Sequence, residues 1–131
     1  MYAIIFWGNS PISKQIFKIQ KRAIIIIAGK GRRDSCKYLF NQFNILTLPA
    51  QYILFVLVFV IENRDSFVLN NNVHGYINFD PHLPSTHLSI VQRGVLHSSC
   101  RIFNSLPLFI KGHSENPCFF ICIVPCIIIF Y

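Results

Sequence analysis

The residues of this chain that could do chemistry are mostly cations. Lys14, Lys18, Lys21, Arg22, Lys30, Arg32, Arg33 and Lys37 fall in one 24-residue window, opposed only by Asp34. Such a cluster is suited to phosphate or to anionic lipid. A solvated helix face is the plain alternative. Gly29-Lys30-Gly31 invites comparison with a phosphate-cradling loop. That loop needs Gly, four residues, then Gly-Lys-Ser/Thr, so that backbone amides face the phosphates and the hydroxyl holds magnesium. Here no glycine precedes at the right distance and Arg32 follows.

Other reactive groups are sparse. The five carboxylates are Asp34, Glu62, Asp65, Asp80 and Glu115. No two form an acid/base pair, and two-metal phosphoryl chemistry needs convergent acids. His97 and Cys100 share a helical spacing, but no second pair stands at metal-ligand spacing. Cys118, Cys122 and Cys126 are each four apart, with Pro125 breaking the face. Free cysteine there packs as a small hydrophobe. These patterns predict no catalytic residue, no metal, no cofactor and no small-molecule substrate.

The elements that must position the cations follow from periodicity. Ser10-Pro11 reads as a turn, and Ser13 as a cap for a helix running to Ala28. In that helix, polar positions 14, 18, 21 and 22 oppose apolar positions 16, 17, 19, 23, 24 and 27. Gly29 is its stop signal. After the loop "KGRRDS", Asp34 or Ser35 caps a second helix to about Phe43, with Leu39, Phe40 and Phe43 as its buried stripe. Pro49 opens a third, "AQYILFVLVFVIENR". Residues 62–86 are turn-rich and read as a long connection. Leu88, Val91, Val95, Ile102, Phe103 and Leu106 recur at near-helical spacing up to Pro107.

Net charge is +7; 53% of residues are hydrophobic and only 13% charged. The apolar share excludes wholesale disorder. The charged share is about half that of an ordinary soluble domain. Segments 45–61 and 118–131 are the candidates for a membrane. A spanning helix needs about 20 apolar residues, and the uninterrupted run Tyr52 to Ile61 has half of that, so a buried core helix is the expectation. An odd number of cysteines and a start without a cationic leader imply a reducing, intracellular setting, nucleus or cytoplasm.

Several stretches together resemble one family. "YAIIFWGNS", "IFKIQKRAIIIIAGKGRRDSC", "LFNQFNILTLPAQYI", "LSIVQRGVLHSSCRIFNSLPLFIK" and the later "NP" are similar, in order, to the region just after the polymerase core in reverse transcriptases of non-LTR retrotransposons of the jockey type. The resemblance covers about residues 2–117. It implies an RNA-directed DNA polymerase whose magnesium-binding acids lie upstream of the matching region, so no catalytic residue carries over. It implies a mainly α fold, several amphipathic helices joined by long loops, forming an incomplete domain that would pack on a polymerase core. RNA or DNA backbone is the implied partner, held by Lys18, Lys21 and Arg22 of "QKRAI" and by Arg32 and Arg33 beyond it.

The chain also departs from that pattern. Relatives present a basic residue at position 25, where Ile25 stands. "HGYINFD" lacks the family's arginine, and the charge-free "CFFICIVPCIIIFY" replaces a Lys-rich helix. The expected organisation is therefore a family-like helical fragment, 1–117, followed by a divergent hydrophobic tail, 118–131. The expected function is a non-catalytic, decaying remnant with residual nucleic-acid affinity and marginal folding on its own. The alternative is a small basic membrane-associated protein using segments 45–61 and 118–131.

Overall fold

The structure, a computed structural model, describes residues 3–31, 34–67, 81–83, 85, 87 and 94–111. The described part is mainly α, with helices α1 (Ile4–Trp7), α2 (Pro11–Ile27), α3 (Lys37–Gln42), α4 (Leu48–Glu62), α5 (Val95–Asn104) and α6 (Leu108–Lys111), plus a 3-10 turn at Arg64–Ser66. No strand occurs among the described residues. The tail 118–131, Leu88, Val91 and residues 68–80 of the turn-rich connection, the run "HGYINFD" among them, lie outside them.

Helix α4 is the centre. Thr47 adopts extended backbone and its hydroxyl accepts from Ala50 N at 3.4 Å, capping the helix. Pro49 occupies the first turn, where its missing N–H costs nothing. Eight of its residues are buried, with Val56 and Leu57 completely so. A helix apolar all round is expected to be buried, and α1, α2 and α5 all pack on it. Two clusters form around it. Leu57, Val60 and Ile61 meet Phe103 and Ile110, while Ile4 and Ile5 meet Leu48, Tyr52 and Val56. No helix among the described residues is long and apolar enough to cross a membrane.

Helix α2 starts earlier than its periodicity predicts. Ser10, not Ser13, is the N-cap residue and Pro11 lies in the first turn. The Ser13 hydroxyl turns back to donate to Ser10 O at 2.7 Å. Its end is as read from the glycine. Gly29 has φ +63°, Gly29 N donates to Ile26 O and Lys30 N to Ile25 O, the paired bonds of a Schellman stop. Helix α3 ends by the same device with Asn44 at φ +51° in the glycine's place, and Ile45 N donating to Phe40 O at 2.9 Å. At its start neither expected cap is the N-cap, which is Cys36. Asp34 Oδ2 instead accepts from Gly31 N at 2.9 Å, and Ser35 Oγ accepts from Lys37 N at 3.5 Å.

A third cluster, Ile24 with Leu39 and Phe40, joins α2 to α3. Phe43 is not part of that buried stripe; it is exposed at the helix end. Gln20 ties α2 to α4. Its side-chain N–H donates to Leu46 O and its carbonyl accepts from Leu48 N, both at 2.9 Å. Gly8, at the end of α1, lies against the Tyr52 ring so closely that a Cβ there would overlap Cδ2 and stand 2.7 Å from Ile4 O.

Candidate nucleic-acid interface

Helix α2 carries four cations and no carboxylate. Its core-facing side holds Phe17, Gln20 and Ile24. At 100° per residue, Lys14, Lys18 and Arg22 form a second line beside it, and all three are exposed. Successive members are four residues, about 6 Å, apart along the axis. Lys21 stands differently. It is half-buried, with Nζ 4.4 Å from the centre of the Phe17 ring, a cation–π distance. Its ammonium sits over a ring of its own helix instead of standing out with the other three.

Lys30 and Lys37 are exposed on either side of the 30–36 loop. Arg32 and Arg33 lie outside the described residues. Beside Lys21 a cleft of about 450 Å³ opens between α2, α3 and α4, lined among others by Phe17, Lys21, Asp34, Lys37 and Phe40. Lys21 and Lys37 thus share one cleft across two helices, which their spacing alone did not reveal.

Position 25 lies on the same arc of α2 as Lys14 and Lys18. Ile25 is nevertheless half-buried against the Ile24–Leu39–Phe40 cluster. A cation there would give up that contact. The exposed cationic line therefore stops at Arg22, and the chain turns inward one turn later.

The apolar line drawn from sequence needs correction. Ile19 (63% exposed), Ala23 and Ile27 (70%) were expected to be buried and are not. Together with Ile12 and Ile26 they make a third, outward strip, with Ile12, Ile19 and Ile26 seven residues apart and each more than half exposed. No described element covers it.

His97 and Cys100 do share α5, but burial works against the thiolate. Cys100 is buried, and burial pushes its pKa up, against a smaller lowering effect of a backbone hydrogen bond. A nucleophilic cysteine needs the opposite shift. No group of three His, Cys, Asp or Glu among the described residues is placed to hold a metal.

The sequence reading missed a polar seam on the other side of α4. Asn9 Nδ2 donates to Ser98 Oγ at 3.4 Å. Burial raises the Tyr52 pKa, and a hydrogen bond with the Ser98 side chain partly offsets it. Arg101 faces the same depression, of about 480 Å³, as Asn9, Tyr52 and Ser98. The signal was present in two quoted stretches, "WGNS" and "HSSCR", but nothing in either said that they meet. Further along α5, Asn104 Nδ2 donates to Pro81 O and Lys111 Nζ to Asn104 O. The polar residues of "IFNSLPLFIK" thus hold α5, α6 and the preceding segment together.

Comparison with protein-family models, with curated proteins and with solved structures returns no match for this chain.

Proposed function

We propose that this chain is a non-catalytic segment of reverse-transcriptase ancestry, of the non-LTR retrotransposon kind, that holds RNA or DNA phosphate through α2. The observation that carries the binding half is the row Lys14, Lys18 and Arg22, fully presented on a 17-residue helix without a single carboxylate. Contacts of this kind neutralise phosphate and release counterions. The ancestry half is supported by the ordered stretches of sequence. In this reading the exposed isoleucines of α2 are surface that a polymerase core would cover, and any magnesium chemistry belongs to that core.

The test is binding of a single-stranded oligonucleotide across a salt series. The variant Lys14→Ala/Lys18→Ala/Arg22→Ala should lower the slope of log affinity against log salt by about 2, near 0.7 per phosphate contact on a single strand. Lys21→Ala should do less, because that ammonium is engaged over Phe17. Unchanged binding by the triple variant refutes the α2 interface.

A second reading has its own observation. The outward strip Ile12, Ile19 and Ile26 beside a cationic row is the pattern of a helix lying on an anionic bilayer. This membrane reading rests on α2. Segment 45–61, expected to serve it, lies in the α4 core instead, and segment 118–131 lies outside the described residues.

A further inference from the structure

The cationic surface of α2 continues past Lys14 into a groove. A depression of about 420 Å³ is lined by Asn9, Ser13, Lys14 and Tyr52 among others. The neighbouring one, of about 480 Å³, is lined by Asn9, Tyr52, Ser98, Arg101, Ile102 and Ser105. The two share Asn9, Tyr52 and Ile102, so they form one groove with Lys14 at one end and Arg101 at the other. No carboxylate is found among the described lining residues.

The donors in the groove are arranged in sequence. Asn9 Nδ2 donates to Ser98 Oγ. Ser98 also shares a side-chain hydrogen bond with Tyr52. The Arg101 side chain is exposed and meets no hydrogen-bond or ion-pair partner among the described residues. A guanidinium fork beside neutral hydroxyl and amide groups, with no carboxylate among the described lining residues, matches the oxygens of a phosphate.

We propose that this groove is a phosphate site, with Arg101 as the charged contact and the Tyr52 hydroxyl as the neutral donor. Its phosphate would come either from a polynucleotide backbone continuing off α2 or from a free phosphate group. The polynucleotide source rests on the nucleic-acid reading above; the phosphate chemistry of the groove does not.

Two titrations of the full chain test it. In the first, inorganic phosphate is added to ¹⁵N-labelled protein. The Arg101 Nε–H and Asn9 side-chain amide resonances should move and saturate. In Arg101→Gln the Asn9 shift should be lost, and in Tyr52→Phe the affinity should fall several-fold. In the second, a single-stranded oligonucleotide is titrated across a salt series. There Arg101→Gln should lower the slope by about 0.7, the contribution of one phosphate, with the α2 triple variant lowering it independently. Arg101 is exposed, so its replacement leaves the fold intact, which the amide spectrum reports directly. If Arg101→Gln and Tyr52→Phe bind both ligands as wild type does, the groove proposal is overturned even where the α2 variant loses binding. If inorganic phosphate binds in the groove and no oligonucleotide binds anywhere, the site stands as one for free phosphate, and it is the nucleic-acid reading that falls.

Discussion

Helices α2 and α4 are built from similar material and have opposite fates. Both begin with a proline in the first turn, and both carry runs of branched aliphatic residues. Helix α4 buries eight residues and α2 buries one, Ile24. The four consecutive isoleucines 24–27 show the contrast at single-residue scale: 3% exposed at Ile24, half-buried at Ile25, then 76% and 70% at Ile26 and Ile27. Apolar side chains supply a driving force for burial, but burial requires an opposing surface. Helix α4 has one on three sides; α2 has α3 and α4 on one side only.

The largest test of that contrast is at the centre of α4. Leu57 is completely buried in the cluster with Val60, Phe103 and Ile110. Leu57→Ala should cost about 2–5 kcal/mol, lost transfer energy plus a cavity, read from the midpoint of denaturant unfolding. Ile19→Ser, on the outward strip of α2, should stay within about 0.5 kcal/mol in the same measurement. Equal losses at the two positions would erase the distinction.

The helix ends give a smaller effect. Thr47→Ala removes the cap of α4 and should cost about 1 kcal/mol. Gly29→Ala meets no atom within 4 Å, so its cost is the left-handed backbone alone, about 1 kcal/mol. Thermal unfolding of both variants checks whether α2, half exposed, is as sensitive to its stop as α4 is to its start.

The smallest effect is a matter of pH and belongs to the α4 side. Burial raises both the Tyr52 and the Cys100 pKa. A raised folded-state pKa means that the unfolded chain loses its proton first. Stability from these groups is therefore complete below their ordinary values, 9.0 for the thiol and 10.0 for the phenol, and declines as pH rises above them. Denaturant midpoints from pH 7 to 10.5 should fall at the alkaline end. Cys100→Ser should remove the thiol part of that fall, and Tyr52→Phe the phenol part.

Much of the helix layout was legible locally. Gly29 marked a stop because only a residue at ease with positive φ completes the Schellman bonds. Pro49 marked a start because a proline suits the first turn, whereas the Thr47 cap beside it was seen only in the structure. The expectation of a core helix at 45–61 followed from its length. Less of the candidate site was legible. The cationic row appeared in the spacing 14, 18, 22, but Lys21 left it for the Phe17 ring. Ile19 and Ile27 were assigned to the buried face because a 3.6-residue period does not say how wide the covered arc is. The groove from Lys14 to Arg101 was not legible at all. Asn9 and Ser98 are 89 residues apart in sequence, and no local pattern carries that contact.

The sequence by itself therefore determined the glycine stop of α2 and the proline start of α4, that the chain is mainly α, and that its cations concentrate on one helix. These depend on backbone capping, on periodicity and on charge, all set within a few residues. Only the tertiary structure decided which apolar residues are core, which lysine is free, and which hydroxyls line a groove with Arg101. Those depend on which surfaces oppose one another, and opposition is a property of packed helices, not of any one of them.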